Sequence, residues 1–481
     1  MTSEEPFYRQ KILYLMAFSS SLGSLAWGYN LSSFNALRVF LQTNVFPGAS
    51  DFAISLIASL LTLGAAGGSF YAGSLLSKFG RLKVLRYTDI VGIFATFLCM
   101  FQSLFLMILG KLIIGVIIGI NGVTISLYNI EMAPIPMKGI MSSVSMTLLA
   151  LGVTFGLVAQ LAVPDLIEGK DSQRWRLLMA IPILFHAARL AIFTYILPFD
   201  TPLYLTLQNK ISEARDVLDK IYIRDVDGQL QRVIKDKEAI TAGGSLKFAD
   251  LLKPKYRRAF FVCLFIMASI QLCGFSQIFV FFNTFITESA GNNSDAVSLF
   301  ATIMGTISFL SAGYANIIME KYNRRPLFMI GMTLMAFSSL FYAFLGYVDG
   351  PSNGLLKYVV SIWPLFFRTS VGTLAFIYVP EVLPGIGVSI TVFFNWMMAF
   401  LSVQTCLPLV KMIGTQGLML FFGLFCAFSV WAYDKYIIES RGRTKAELLE
   451  LFEAADNNGL SDDMVKNIEM RKLLLFNKSD V

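Results

Sequence analysis

Charge and histidine are what this sequence has least of: charged residues make up 15% of 481, and there is one histidine. Soluble domains carry roughly 25% charge, so the chain has too little polar surface to cover several water-soluble domains. The five cysteines (Cys99, Cys263, Cys273, Cys406 and Cys426) stand far apart inside apolar stretches. No CxxC or Cys/His ligand spacing occurs, which leaves a disulfide framework and a zinc site without support and makes the thiols small apolar packing groups. No glycine-rich phosphate loop with its lysine is present, nor a partner for a Ser/His pair, so no enzyme chemistry, cofactor or metal is expected. The net charge of +7 lies in short loops, without a basic patch interleaved with aromatics, and nucleic acid is not an expected partner.

What the sequence has is apolar length. Hydrophobic residues reach 56%, and a membrane-spanning helix needs about 20 mostly apolar residues. Twelve such segments are readable: 12–36, 52–76, 84–106, 109–131, 139–163, 176–197, 258–286, 295–319, 326–348, 355–380, 386–410 and 414–437. The alternating ten-residue strands of a membrane barrel are absent. The first segment is too long for a signal-peptide core and follows Glu4 and Glu5, so no cleavage is expected. Gly64, Gly67 and Gly68 lie at small-residue spacing and predict close helix packing.

Lysine and arginine set the expected orientation. Lys78, Arg81, Lys83, Lys138, Lys321, Arg324 and Arg325 precede spans 3, 5 and 9, whereas the alternate loops hold Arg38, Lys170, Arg174 and little else. Both termini are therefore expected in the cytoplasm, and the Asn292-Asn293-Ser294 sequon falls in an expected outer loop. The long loop 198–257 carries Ile211, Ala214, Val217, Leu218 and Ile221 at helical spacing, and the tail opens with Leu448, Leu449, Leu451 and Phe452. Both read as amphipathic covers on the cytoplasmic face.

A repeat divides the chain. Lys78-Phe79-Gly80-Arg81 recurs as Lys321-Tyr322-Asn323-Arg324-Arg325, Glu131-Met132-Ala133-Pro134 as Glu381-Val382-Leu383-Pro384, and Asp200 as Glu439, all at nearly one offset. Two parallel six-helix halves follow, with expected units 1–197, 198–257, 258–437 and 438–481. Such halves rock about a central cavity. Opposite charges at the cytoplasmic helix ends then form a candidate latch of Arg81, Glu131, Lys138, Asp200, Glu320, Arg324, Arg325, Glu381 and Glu439, pairing across facing loops when that side closes. The alternative is that these charges only set topology, which accounts for the basic residues but not for the Glu-x-x-Pro pair.

Several motifs stand in order along the chain: Gly28-Tyr29-Asn30 with Asn35-Ala36, Ser77-Lys78-Phe79-Gly80-Arg81, and Gly110-Lys111-Leu112-Ile113-Ile114-Gly115. Asp200-Thr201-Pro202, Gln271-Leu272-Cys273-Gly274, Glu320 to Arg325, Phe394-Asn395-Trp396 and Glu439 to Thr444 follow. On these the chain resembles the sugar porter branch of the major facilitator superfamily, including the facilitative glucose transporters. The resemblance implies an all-α polytopic fold of twelve transmembrane helices in two pseudo-symmetric halves. It also implies alternating-access transport of a hexose-like sugar, with the sugar and the bilayer as partners and no obligate protein partner. Carried over by position, the substrate contacts are Gln271, Ser276, Gln277, Ser308, Arg368, Phe376 and Asn395, whose amides and hydroxyls suit sugar hydroxyls.

Departures are as informative. Met146 and Ile270 replace family glutamines, Phe376 a tryptophan, and Leu203 and Val388 arginines; Lys111 and Lys138 stand where arginine is usual. Arg368 takes the place of a glutamate, mid-membrane by its distance from Lys357 and Glu381, and either bonds sugar hydroxyls, selects a negatively charged substrate or is satisfied at a helix break. Asn30 stands where proton-coupled members carry aspartate. An amide cannot titrate, His186 is read as a packing histidine, and facilitative uniport in the plasma membrane is expected, with an internal membrane as the alternative. A non-transporting sensor and a carrier of anionic sugar derivatives are the competing readings.

Overall fold

The apolar segments become helices nearly end to end. The computed structural model describes residues 8–134, 137–159, 173–242, 248–291, 293–441, 443 and 445–458. Among these, 9 helices are long and apolar enough to cross a membrane. The last, Gly385–Tyr436, is two spans broken at Gly414, whose φ of 73° is left-handed backbone that glycine adopts without steric cost. Helices Gln10–Phe40, rich in serine, and Arg81–Leu98, rich in charge, complete a set of twelve.

In chain order these are span 1 (Gln10–Phe40, extended by a π turn at Leu41–Val45), span 2 (Asp51–Phe79), span 3 (Arg81–Leu98) and span 4 (Leu104–Met132). Span 5 is Lys138–Val158 and span 6 is Trp175–Ala191 with a π turn at Ile192–Ile196. Span 7 is broken into Pro254–Leu272 and Phe275–Ile286, followed by span 8 (Ser294–Lys321) and span 9 (Arg324–Val348). Span 10 is broken into Leu356–Arg368 and Val371–Val382; span 11 is 385–413 and span 12 is 415–436. Span 3 ends earlier than its apolar run, because the Ser103 hydroxyl accepts from the Leu106 N–H and starts the next helix there. Asn292 of the sequon lies outside the described residues.

The pairing of spans repeats. Span 1 packs on 5, span 2 on 4 and span 3 on 6, while span 8 packs on 10, span 9 on 12, and span 7 is bonded to 11 through Gln271 and Asn395. Spans 1 and 5 touch backbone to backbone: a Cβ on Gly28 would lie 2.0 Å from the Leu149 carbonyl oxygen, and one on Gly152 2.1 Å from that of Leu25. Spans 2 and 4 do the same, with Gly64 against Leu112 and Gly68 against Val116. Gly67 is a correction to the expected trio, because nothing lies within 4 Å of its Cβ position. The halves meet where span 2 packs on span 11, span 5 on span 8 and span 1 on the second part of span 7.

All the helix ends bearing the repeated charges share one face, called here the charged face. Helices Pro202–Leu207, Ile211–Ile221 and Val226–Ala242 lie there. Ala214, Val217, Leu218 and Ile221 are buried in the apolar cluster that holds Leu13, Met132 and Phe193, but Ile211 is exposed, outside the expected stripe. The tail helix Lys445–Asn458 packs on spans 7 and 10 through Leu448, Leu449, Leu451 and Phe452. The loop helices thus cover the first half and the tail helix the second.

Candidate functional site

Span 7 breaks at Gly274, whose φ is 101° and whose Cβ position lies 2.6 Å from the Phe422 ring. The break turns two polar residues toward each other: the Ser276 hydroxyl donates to Gln271 Oε1 at 2.5 Å. Gln271 Nε2 in turn donates to Asn395 Oδ1 of span 11 at 3.0 Å. Gln277 Oε1 is buried without a hydrogen-bond partner, and Phe376 is half-buried against the same core. Trp27 of the first half and Trp396 of the second meet with ring centroids 5.3 Å apart, so this amide-hydroxyl cluster lies one residue from the seam between halves.

Arg368 ends the first part of span 10 and is 3% exposed. Its Nε donates to Ser308 Oγ of span 8 at 3.3 Å, and its guanidinium carbon sits 5.8 and 5.7 Å from the rings of Phe275 and Phe279. Nη2 is buried without a hydrogen-bond partner. An arginine at mid-membrane costs at least about 2.5–3.5 kcal/mol, of which cation–π contacts return about 1–2 kcal/mol. Phe275 touches the guanidinium and Ser276, the next residue, joins the Gln271 cluster, so one half-helix is the common wall of both groups.

Two buried polar groups occupy the first half. Lys111 Nζ donates to Asn30 Oδ1 at 3.0 Å, beside a cavity of ≈ 10 Å³ lined by both residues with Phe34, Thr62 and Val280, room for about one water. Deeper in the half, Arg189 Nε lies 2.9 Å from both Asp89 oxygens, and His186 Nδ1 is 2.8 Å from Asp89 Oδ1. Arg189 also donates to Ser20 O, Thr88 Oγ1 and Asn121 Oδ1. The expected packing role of His186 holds against Gly92, whose Cβ position is 2.9 Å from the ring. The carboxylate it meets was not singled out from the sequence. Asp89 and His186 are 97 residues apart, and no local spacing announces the pair.

At the charged face the repeat becomes a duplicated staple. Arg81 Nη2 lies 2.6 Å from Glu131 Oε1, and the Thr201 hydroxyl donates to Glu131 Oε2 at 2.5 Å. In the second half Arg324 Nη2 lies 3.3 Å from Glu381 Oε1, and the Ser440 hydroxyl donates to Glu381 Oε2 at 2.6 Å. Asp200 accepts from the N–H groups of Arg81 and Leu82, and Glu439 from those of Arg324 and Arg325; each carboxylate thereby caps the start of a span, where the helix dipole favours an anion. Burial pushes the Asp200 carboxyl up, against these N–H donors that pull it down. Each pair closes inside one half, where the sequence reading had charges pairing across facing loops. Arg325 turns to Asp434 at 2.9 Å. Lys138 is exposed, with no ion pair among the described residues. The Glu320 side chain lies outside the described residues. Thr201 and Ser440 are the residues sequence reasoning missed, and the signal was available: each directly follows the repeated acid.

Polar links between halves lie at the opposite ends of the spans. Asn35 Nδ2 donates to Asn283 Oδ1 at 2.8 Å, and the Asn283 N–H returns a bond to Asn35 Oδ1 at 2.9 Å. Ser59 donates to Gln404 Oε1 at 2.6 Å, and Lys411 pairs with Asp51. Nearer the middle, Thr154 donates to the Gly305 carbonyl at 2.7 Å.

With this geometry in view, comparison with known proteins is direct. The profile of the family described as "Sugar (and other) transporter" matches residues 15–452. The plastidic glucose transporter 4 of Arabidopsis thaliana is 26% identical, over 89% of this chain and 78% of that protein. A D-xylose transporter of Levilactobacillus brevis is 25% identical over 90% and 94% of the two chains, and the major myo-inositol transporter of Bacillus subtilis 25% over 92% and 95%. Among solved structures, the partially occluded inward open form of the xylose transporter XylE from E. coli superposes with a TM-score of 0.76 at 17% identity, covering 90% of this chain and 100% of that one.

Proposed function

The chain belongs to the sugar transporter family of the major facilitator superfamily, and from that premise we propose that it carries a monosaccharide-sized polyol down its gradient by alternating access. The observation that carries this reading is the Gln271–Ser276–Asn395 cluster, formed by the break in span 7 beside the seam of the two halves. Amides and hydroxyls both donate and accept, as sugar hydroxyls do, so a bound sugar can exchange places with the bonds these groups now make to one another. Relatives named for glucose, xylose and myo-inositol support a pentose- or hexose-sized solute.

The distribution of contacts supports a closed far face, with Asn35–Asn283, Ser59–Gln404 and Asp51–Lys411 as its bolts. Each is worth about 0.5–1.5 kcal/mol net, so opening the far face costs a few kcal/mol, within reach of substrate binding. The lysine and arginine excess supports a cytoplasmic charged face. Uniport is supported by Asn30, an amide held by Lys111 where a proton carrier would need a carboxylate, and by Asp89, which Arg189 already neutralises.

Radiolabelled glucose, xylose and myo-inositol uptake into vesicles holding the purified protein tests the reading. Saturable, protonophore-insensitive uptake of at least one is expected. Abolition by a protonophore would refute uniport, and binding without flux would make the protein a sensor.

A further inference from the structure

Among the described residues three arginines are buried, Arg81, Arg189 and Arg368, and the first two have a counter-charge, Glu131 and Asp89. Arg189 is 0% exposed and rests on both oxygens of Asp89. Arg368 is 3% exposed, and its side chain makes no ion pair among the described residues. Among the described residues its side chain meets a serine hydroxyl and two phenyl rings, and Nη2 is left without a hydrogen bond. Rings stabilise the face of a guanidinium, but they accept nothing from its in-plane N–H groups.

We propose that the missing counter-ion belongs to the substrate: the carried solute is a monosaccharide bearing one carboxylate, a uronic or aldonic acid, whose carboxylate docks on Arg368. This rests on reading the span 7 cluster as the sugar site. The guanidinium presents a planar fork that matches a carboxylate with two parallel bonds. Phe275 and Phe279 beneath it fix the plane, and Ser308 fixes Nε, which leaves the Nη edge for the ligand. Ser276, adjacent to Phe275, begins the amide-hydroxyl cluster that would read the hydroxyls of the same molecule. The one positive charge of Arg368 matches a monoanion. A phosphorylated sugar, nearly doubly charged at neutral pH, would bring an excess of negative charge into the bundle.

The test is equilibrium binding to the purified full chain, followed by intrinsic fluorescence and thermal shift, with D-glucuronate, D-gluconate, D-glucose and glucose 6-phosphate. At least one of the two sugar acids is expected to bind ten times or more tighter than glucose. Arg368→Gln should abolish that preference, and Arg368→Lys should recover part of it, since the charge stays and the fork goes. Glucose binding as tight as both acids, a preference that survives Arg368→Gln, or glucose 6-phosphate binding tightest would each overturn the inference and leave the sugar-carrier reading standing. No binding of any of the four by folded wild type would overturn the inference, and uptake of xylose and myo-inositol would then decide the sugar-carrier reading separately. Because the wild-type ranking decides by itself, a misfolded variant does not shelter the proposal.

Discussion

Glu381 receives Arg324 and Ser440 just as Glu131 receives Arg81 and Thr201, so two glutamates 250 positions apart (381 − 131) hold equivalent junctions in the two halves. The equivalence is of partners, not of burial. The Arg81 and Glu131 side chains are 10% and 7% exposed, those of Arg324 and Glu381 14% and 31%.

That difference predicts unequal costs. Removing one member of a shielded pair strands the other, at about 3 kcal/mol, whereas a half-exposed pair is worth about 1 kcal/mol or less. Glu131→Gln should therefore lower the melting temperature in detergent clearly more than Glu381→Gln. A double-mutant cycle on Arg81 and Glu131 should return a coupling larger than the one on Arg324 and Glu381. Equal couplings would mean that burial does not set the strength of these staples.

The spans and the repeat were legible because a bilayer demands long apolar runs, and duplication leaves matching motifs. The junctions were half legible: Arg81, Glu131, Asp200 and their counterparts stood out, but their pairing within each half depends on which helix ends are neighbours, and linear order does not state that. Gly64 and Gly67 are equally small, yet only Gly64 faces span 4, because helix rotation is set by packing. The pairing of Asp89 with Arg189 escaped notice for a similar reason. Each reads singly as a charge in a marginal span, and their meaning appears only when spans 3 and 6 are laid side by side.

Glycine substitutions separate close approach from mere small size. Gly152→Ala would push a methyl to 2.1 Å from the Leu25 carbonyl oxygen, where only backbone movement relieves the clash; overpacking of this kind costs about 1–3 kcal/mol. Gly67→Ala meets open space and should be neutral. Melting temperatures of the two variants, at matched detergent, check the contrast, and a destabilised Gly67→Ala would show that span 2 is rotated from the orientation described.

The reciprocal Asn35–Asn283 bonds join the halves at the far face. Asn35→Ala removes both at about 1 kcal/mol each, which should move the balance toward far-face opening by roughly thirtyfold. Spin labels placed across that face should report a larger population of long distances in the variant. An unchanged distance distribution would relieve Asn35 of any part in closure.

The buried Asp89–Arg189 pair gives the sharpest stability test, because its two single variants and its double variant must behave differently. Asp89→Asn leaves the Arg189 guanidinium with neutral partners only, Ser20, Thr88 and Asn121. An unpaired buried charge of this kind costs about 3–5 kcal/mol. Arg189→Met leaves the Asp89 carboxylate against His186 without its guanidinium partner, a stranded buried charge of the same order of cost. The double replacement Asp89→Leu with Arg189→Met removes both charges from an apolar setting and should recover most of the stability, since paired buried ions often gain little over packed hydrocarbon. Melting curves of the three variants decide it: a double variant no better than Asp89→Asn would mean that the pair is required for the packing of spans 1, 3, 4 and 6, beyond the neutralisation of its own charges.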